Sequence, residues 1–192
     1  MAAQTSVGAA VPRLRARPVT ARRERALVRA AQRGDQAALE GLFRAHWPAA
    51  YRAAWFVIRD AQAAEDVAQE AFLAAVAALD RFDRGRPFGP WLRTIVARRA
   101  IDALRARSLR REVGEEPLAT VASSDPEQTD DDGLAAALAV LPDDQRTVVV
   151  LRHVLELTPG EIARVLEVPR GTVNSRLRRG LDGLESWARS AR

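Results

Sequence analysis

The sequence predicts an all-α protein, and three observations carry the prediction. Alanine, leucine, arginine and glutamate are abundant, aromatic residues make up only 5% of the chain, and apolar residues recur at three- and four-residue steps. With 192 residues and 47% hydrophobic content, the chain can form one ordinary domain or two small helical ones with real cores.

Residues 1–21 mix Pro, Gly, Ala and scattered Arg without periodicity and read as a disordered basic tail. From Arg22 the spacing turns helical through Leu27 and Ala31. After a break at Gly34 and Asp35, the residues Leu39, Leu42, Phe43, Tyr51 and Trp55 mark a second helix, which Asp35 can cap. A third helix is expected over 63–79, with Phe72, Val76 and Leu79 on its buried face and Asp66, Gln69 and Glu70 opposite. Residues 80–90, DRFDRGRPFGP, hold two Gly and two Pro and read as a loop. A fourth helix, expected over 91–107, is dense in arginine: Arg93, Arg98, Arg99, Arg105 and Arg107.

Residues 111–132 turn acidic and aperiodic, GEEPLATVASSDPEQTDDDG after the last arginine, and read as a flexible linker between units at 22–110 and 133–192. An acidic tether between two basic modules avoids sticking to the nucleic acid those modules would bind. The last sixty residues read as a compact set of helices at 134–141, 143–157, 158–167 and 171–189.

A net charge of +5 and a pI near 11.1 come from arginine, since the chain holds no lysine. Arginine's planar fork suits phosphate and base edges, so a polyanionic partner fits, although a GC-rich genome would also enrich Ala and Arg. The absence of cysteine excludes disulfides, Cys-ligated zinc and thiol catalysis. No stretch has the apolar run of a signal peptide or the length of a membrane span, so a cytoplasmic protein without membrane insertion is expected.

The sharpest pattern is C-terminal. Thr158-Pro159-Gly160-Glu161 combines a Thr N-cap, a first-turn proline and a Glu three residues on, the makings of a capping box. That helix stops within ten residues, at Glu167-Val168-Pro169, and another follows at once, which is the layout of a helix-turn-helix. On the second helix Val173, Leu177, Leu181 and Leu184 fall on the core side. Arg170, Thr172, Asn174, Ser175, Arg178 and Arg179, with Arg176 at the margin, offer base-edge and phosphate donors on the other.

LPDDQRTVVVLRHVLELTPGEIARVLEVPRGTVNSRLRRGLDGL resembles domain 4 of sigma-70 family factors, particularly the small extracytoplasmic-function (ECF) group. The resemblance implies that the helix carrying GTVNSRLRR reads the minus-35 promoter element. Pro169 departs from the Ser-like N-cap more common in the family. AEDVAQEAFLAAVAALDRFD resembles the helix of sigma domain 2 that docks on the β′ clamp helices of core RNA polymerase, which would turn Asp66, Gln69 and Glu70 toward polymerase. WLRTIVARRAIDALR resembles the helix that contacts the minus-10 element, with residues 84–90 as the loop that helps to capture a flipped base. On that resemblance Arg84, Arg86, Arg93, Arg98, Arg99 and Arg105 would contact the minus-10 DNA. Phe88 would either stack on a base or close the core. Arg98 stands where many relatives have Asn, so base preference there is expected to rest more on charge.

The implied partners are core RNA polymerase, through its clamp helices and the β flap, promoter DNA, and an anti-sigma protein, which is common in the family. A free-standing helix-turn-helix regulator would explain the C-terminal unit but not the N-terminal one. An enzyme finds no support: His46 and His153 lie far apart, and no phosphate loop, nucleophile with its base or metal-ligand spacing is present, so no catalytic residue, metal or cofactor is expected.

Overall fold

The computed structural model describes residues 20–112 and 132–190, and among them the chain forms eight α-helices, one 3-10 turn and no strand. Most of the N-terminal tail and of the acidic linker lies outside the described residues. Ala21 already belongs to the first helix, while Glu112 and Asp132 belong to the helices that flank the linker.

Helix α1 (Ala21–Ala31) starts where Thr20 Oγ1 accepts from the Arg23 N–H, and the chain reverses after it at Gly34, whose φ of +86° suits a residue without a Cβ. Helix α2 (Gln36–Ile58) is capped by Asp35, whose Oδ1 accepts from Ala38 N at 3.1 Å, as its sequence position predicts. Helix α3 (Ala61–Ala78) repeats the device with Asp60 and Ala63 N at 3.0 Å.

The inward face of α3 differs from the sequence expectation. Phe72 and Leu79 are buried, but Val76 is 48% exposed beside Leu73 at 70%. The buried stripe consists of Ala64, Ala68, Ala71 and Ala75 with Val67 and Phe72, and its small residues let α2 and α4 pack closely on both sides.

The segment 80–90 is not wholly a loop. A 3-10 turn occupies Leu79–Arg81, and helix α4 (Phe88–Glu112) begins three residues before the expected Trp91. Pro90 permits this, because the first turn of a helix needs no N–H from it. Helices α1–α4 enclose a core that includes Val28, Leu42, Phe56, Phe72, Leu92 and Val96.

The C-terminal half consists of α5 (Asp132–Ala139), α6 (Asp143–His153), α7 (Pro159–Leu166) and α8 (Arg170–Ser190). Helix α6 stops at His153 rather than Leu157, and beyond it Glu156 takes a left-handed φ of 55° while Leu155 and Leu157 turn inward. On α8, Val173 is buried, and Leu177 and Leu184 pack on the core, but Leu181 is 42% exposed. The core position is taken by Gly180, seven residues after Val173 and therefore on the same side of the helix. The two halves touch through α4 against α7 and α2 against α6.

Candidate nucleic-acid interface

The turn ahead of α8 is built from local hydrogen bonds. The Thr158 N–H donates to Glu161 Oε2 at 2.8 Å, and the Glu161 N–H donates to Thr158 Oγ1 at 3.3 Å, which completes the capping box. Hydrogen bonds from the Thr158 backbone and side chain hold the Glu161 carboxyl below its ordinary pKa. Glu167 ends α7 with a left-handed φ of 58°. The Pro169 carbonyl then accepts from Thr172 N at 2.9 Å and Val173 N at 3.3 Å, so α8 starts without a side-chain cap from Pro169. The short α7 and the longer α8, joined by three residues, form a helix-turn-helix.

On α8 the side chains of Arg170, Asn174, Ser175, Arg178 and Arg179 are exposed on one side, and Thr172 is half-buried among them. Ser175 Oγ donates to the Thr172 carbonyl at 3.0 Å and Arg179 Nε to the Ser175 carbonyl at 3.3 Å, which steadies the face. Arg176 turns away, with Nε 3.0 Å from Asp144 Oδ2 at the start of α6.

The candidates for the minus-10 face are less uniform. Arg84 and Arg86 are exposed on the loop, and Arg98 and Arg99 are exposed on α4. Arg93 Nη1 lies 2.8 Å from Glu156 Oε2, and Arg105 pairs with Glu167 Oε1 at 3.2 Å while donating to the Leu166 carbonyl at 3.1 Å. Both arginines thus engage the C-terminal half. Phe88 is not available for stacking in this arrangement: it is 4% exposed, with the rings of His46, Trp91 and Phe82 at 5.3, 5.4 and 5.8 Å. The early start of α4 turns it into the core.

Asp66, Gln69 and Glu70 are exposed together on α3. Asp66 accepts from Gln62 at 3.3 Å, Gln69 donates to Glu65 at 3.2 Å, and Glu70 Oε2 lies 3.9 Å from Arg99 Nη1. The acidic candidates and the arginine face of α4 therefore adjoin. Among the described residues no three His, Asp or Glu side chains gather to hold a metal, and no helix is long and apolar enough to cross a membrane.

Two polar residues that the apolar pattern does not single out are Glu24 on α1 and Gln32 at its C-cap. They fall four residues before and four after the buried Val28, so they share its inward face. Polar residues in register with an apolar stripe were the available signal. Glu24 Oε1 accepts from the Gly89 N–H at 2.9 Å and lies 3.2 Å from His46 Nε2. Burial pushes the His46 imidazole below its ordinary pKa, with Arg93 reinforcing the shift and Glu24 opposing it.

Comparison with known proteins completes the picture. Residues 42–110 match the family model described as Sigma-70 region 2, and residues 132–182 match Sigma-70, region 4. The ECF RNA polymerase sigma factor SigW of Bacillus subtilis is 30% identical over 177 residues, covering 84% of this chain and 95% of SigW. The RNA polymerase sigma factor CarQ of Myxococcus xanthus is 35% identical over 155 residues, covering 79% of this chain and 89% of CarQ. The structure of CnrH in complex with the cytosolic domain of CnrY superposes with a TM-score of 0.59 at 28% identity, covering 88% of this chain and 98% of CnrH. Bartonella quintana RpoE, solved with the anti-sigma factor NepR, shares the fold with a TM-score of 0.58 at 23% identity, over 80% of this chain and 98% of RpoE. On the strength of two matched regions and relatives that span most of its length, this chain belongs to the ECF group of the sigma-70 family.

Proposed function

We propose that the chain joins core RNA polymerase in the cytoplasm and directs it to promoters through minus-10 and minus-35 contacts, without catalysis of its own. The observation that carries this reading is the presence of regions 2 and 4 on one chain, each with an exposed arginine-bearing helix face. Residues 22–110 would dock on the β′ clamp helices through Asp66, Gln69 and Glu70 and open the minus-10 element with the loop arginines and α4. Residues 133–192 would bind the β flap and read the minus-35 element with Arg170, Thr172, Asn174, Ser175, Arg178 and Arg179. An anti-sigma protein is a further partner on this reading, in keeping with a structural relative solved on the cytosolic domain of CnrY. A free-standing regulator is not favoured, because it leaves region 2 without a role.

Run-off transcription with core polymerase on a library of promoters tests the proposal. Arg178→Ala or Asn174→Ala should weaken discrimination at the minus-35 element by about 1–3 kcal/mol for each lost bidentate contact. Asp66→Lys should abolish the complex with core while leaving the helical signal intact. Sequence preference unchanged by the α8 substitutions would remove that helix from promoter reading, and a complex retained by Asp66→Lys would remove α3 from docking.

A further inference from the structure

Helix α1 precedes the residues matched to region 2, and no reading face described above includes it. Yet Glu24 of α1 and Gln32 at its C-cap reach across the bundle to both ends of the loop that separates the 3-10 turn from α4. Gln32 Nε2 donates to the Leu79 carbonyl at 2.8 Å and to the Phe82 carbonyl at 3.0 Å, and its Oε1 accepts from Arg84 Nε. Glu24 Oε1 receives the Gly89 N–H at 2.9 Å in the first turn of α4. These contacts join residues 47 to 65 positions apart in sequence.

Between the two anchors Arg84, Gly85, Arg86 and Pro87 are exposed, while Phe82 and Phe88 at the flanks turn inward and meet edge to face. The loop thus has fixed ends and an open tip. Gln32 has its amide hydrogens on carbonyls and its oxygen on a guanidinium, so a carboxylate of the same shape would set oxygen against oxygen. Gly89 leaves room for the second anchor: a Cβ there would lie 3.3 Å from His46 Cε1 and 3.6 Å from Glu24 Oε1.

We propose that Glu24 and Gln32 are positioning residues for minus-10 recognition, bracketing the loop so that Arg84 and Arg86 meet DNA at a fixed angle. This rests on the reading of that loop as part of the minus-10 face. The bracket acts through hydrogen-bond geometry, so its loss degrades selectivity at one promoter element.

The test uses full-length protein with core polymerase and compares run-off transcription from promoters matched or substituted at the minus-10 or the minus-35 element. Gln32→Glu and Glu24→Ala should lower the matched-to-substituted ratio at the minus-10 element about tenfold, the size of one lost base contact. The minus-35 ratio and the affinity for core should stay as in the parent protein. Glu24→Gln retains an acceptor for the Gly89 N–H and should restore most of the minus-10 ratio. An equal loss on every promoter would mean a structural role only, and it would overturn the proposal, as would an unchanged minus-10 ratio. Arg86→Ala and Arg84→Ala separate the two levels. If they lower the minus-10 ratio and the α1 variants do not, the bracket alone is refuted; if they too leave it unchanged, the loop reading falls and the bracket with it.

Discussion

Gly180 brings α8 against α6, and a single methyl group there should separate packing from helix propensity. A Cβ at this position would lie 2.8 Å from Val149 Cγ2 and 3.5 Å from both Cβ and the carbonyl oxygen of Gln145. Two carbons rest comfortably at about 3.5–4.0 Å, so the overlap with Val149 is roughly 0.7 Å or more. Val149 is only 5% exposed and β-branched, which leaves it little rotamer freedom to retreat. Overpacking of this kind costs about 1–3 kcal/mol, against a gain of about 1 kcal/mol from replacing a mid-helix glycine with alanine. Gly171→Ala is the control, because nothing lies within 4 Å of its added Cβ, and it should be neutral or stabilising by up to about 1 kcal/mol. Gly180→Ala should therefore fall up to about 2 kcal/mol below the parent protein and up to about 3 kcal/mol below Gly171→Ala, or several degrees in Tm for a module of this size. Circular dichroism at 222 nm during urea and thermal unfolding reads the difference. Adding Val149→Ala to each background closes a double-mutant cycle, in which the Gly180→Ala penalty should shrink. Gly180→Ala unfolding at or above the midpoint of Gly171→Ala would refute the close approach of the two helices.

Two further predictions concern titration and capping. Thr158→Ala should destabilise the C-terminal half by about 1 kcal/mol in urea unfolding. Because the Glu161 carboxyl is held below its ordinary pKa when folded, its share of that stability is present at neutral pH and lost as pH falls through the folded value, so the Thr158→Ala deficit should narrow in acid. For His46 the burial-lowered pKa means that the unfolded chain binds the proton more tightly than the folded one. Stability should then fall as pH drops through the ordinary histidine range near about 6.5, and His46→Gln should flatten that part of the profile. An unchanged slope would show that the imidazole is not held neutral.

Much of this arrangement was legible in the chain because caps and turns are local. Asp35 and the Thr158-Pro159-Gly160-Glu161 run start their helices where the sequence places them, and the exposed side of α8 follows from its period. On α3 and α8 the departures from the apolar pattern have one cause: small residues hold core positions that large ones were expected to fill. Four alanines beside Val67 and Phe72, and not Val76, line the inner face of α3, and Gly180, not Leu181, fills the core register of α8. Phe88 stays ambiguous between loop and core in the sequence because α4 begins two residues before Pro90, where a proline ordinarily marks a break. The roles of Glu24 and Gln32 are not encoded locally, because their partners lie dozens of residues away.

The pairs that join the halves were likewise beyond reach, since they depend on two acids, Glu156 and Glu167, held in left-handed backbone after α6 and α7. Their consequence for DNA binding follows from the chemistry of arginine. The sequence contains no lysine, and a guanidinium stays charged at any working pH, so Arg93 and Arg105 exchange a carboxylate for a phosphate without a proton step. Glu156 and Glu167 are 67% and 74% exposed, which places each pair in the range of about 0–1 kcal/mol. Contacts that weak cannot hold the halves together against a phosphate backbone. They can alter how binding responds to salt, because each arginine freed for DNA leaves a carboxylate in water to gather cations of its own. The exchange at Arg93 and Arg105 therefore releases fewer ions than binding through Arg98, which together with Arg170, Arg178 and Arg179 of α8 should dominate the salt dependence of promoter binding.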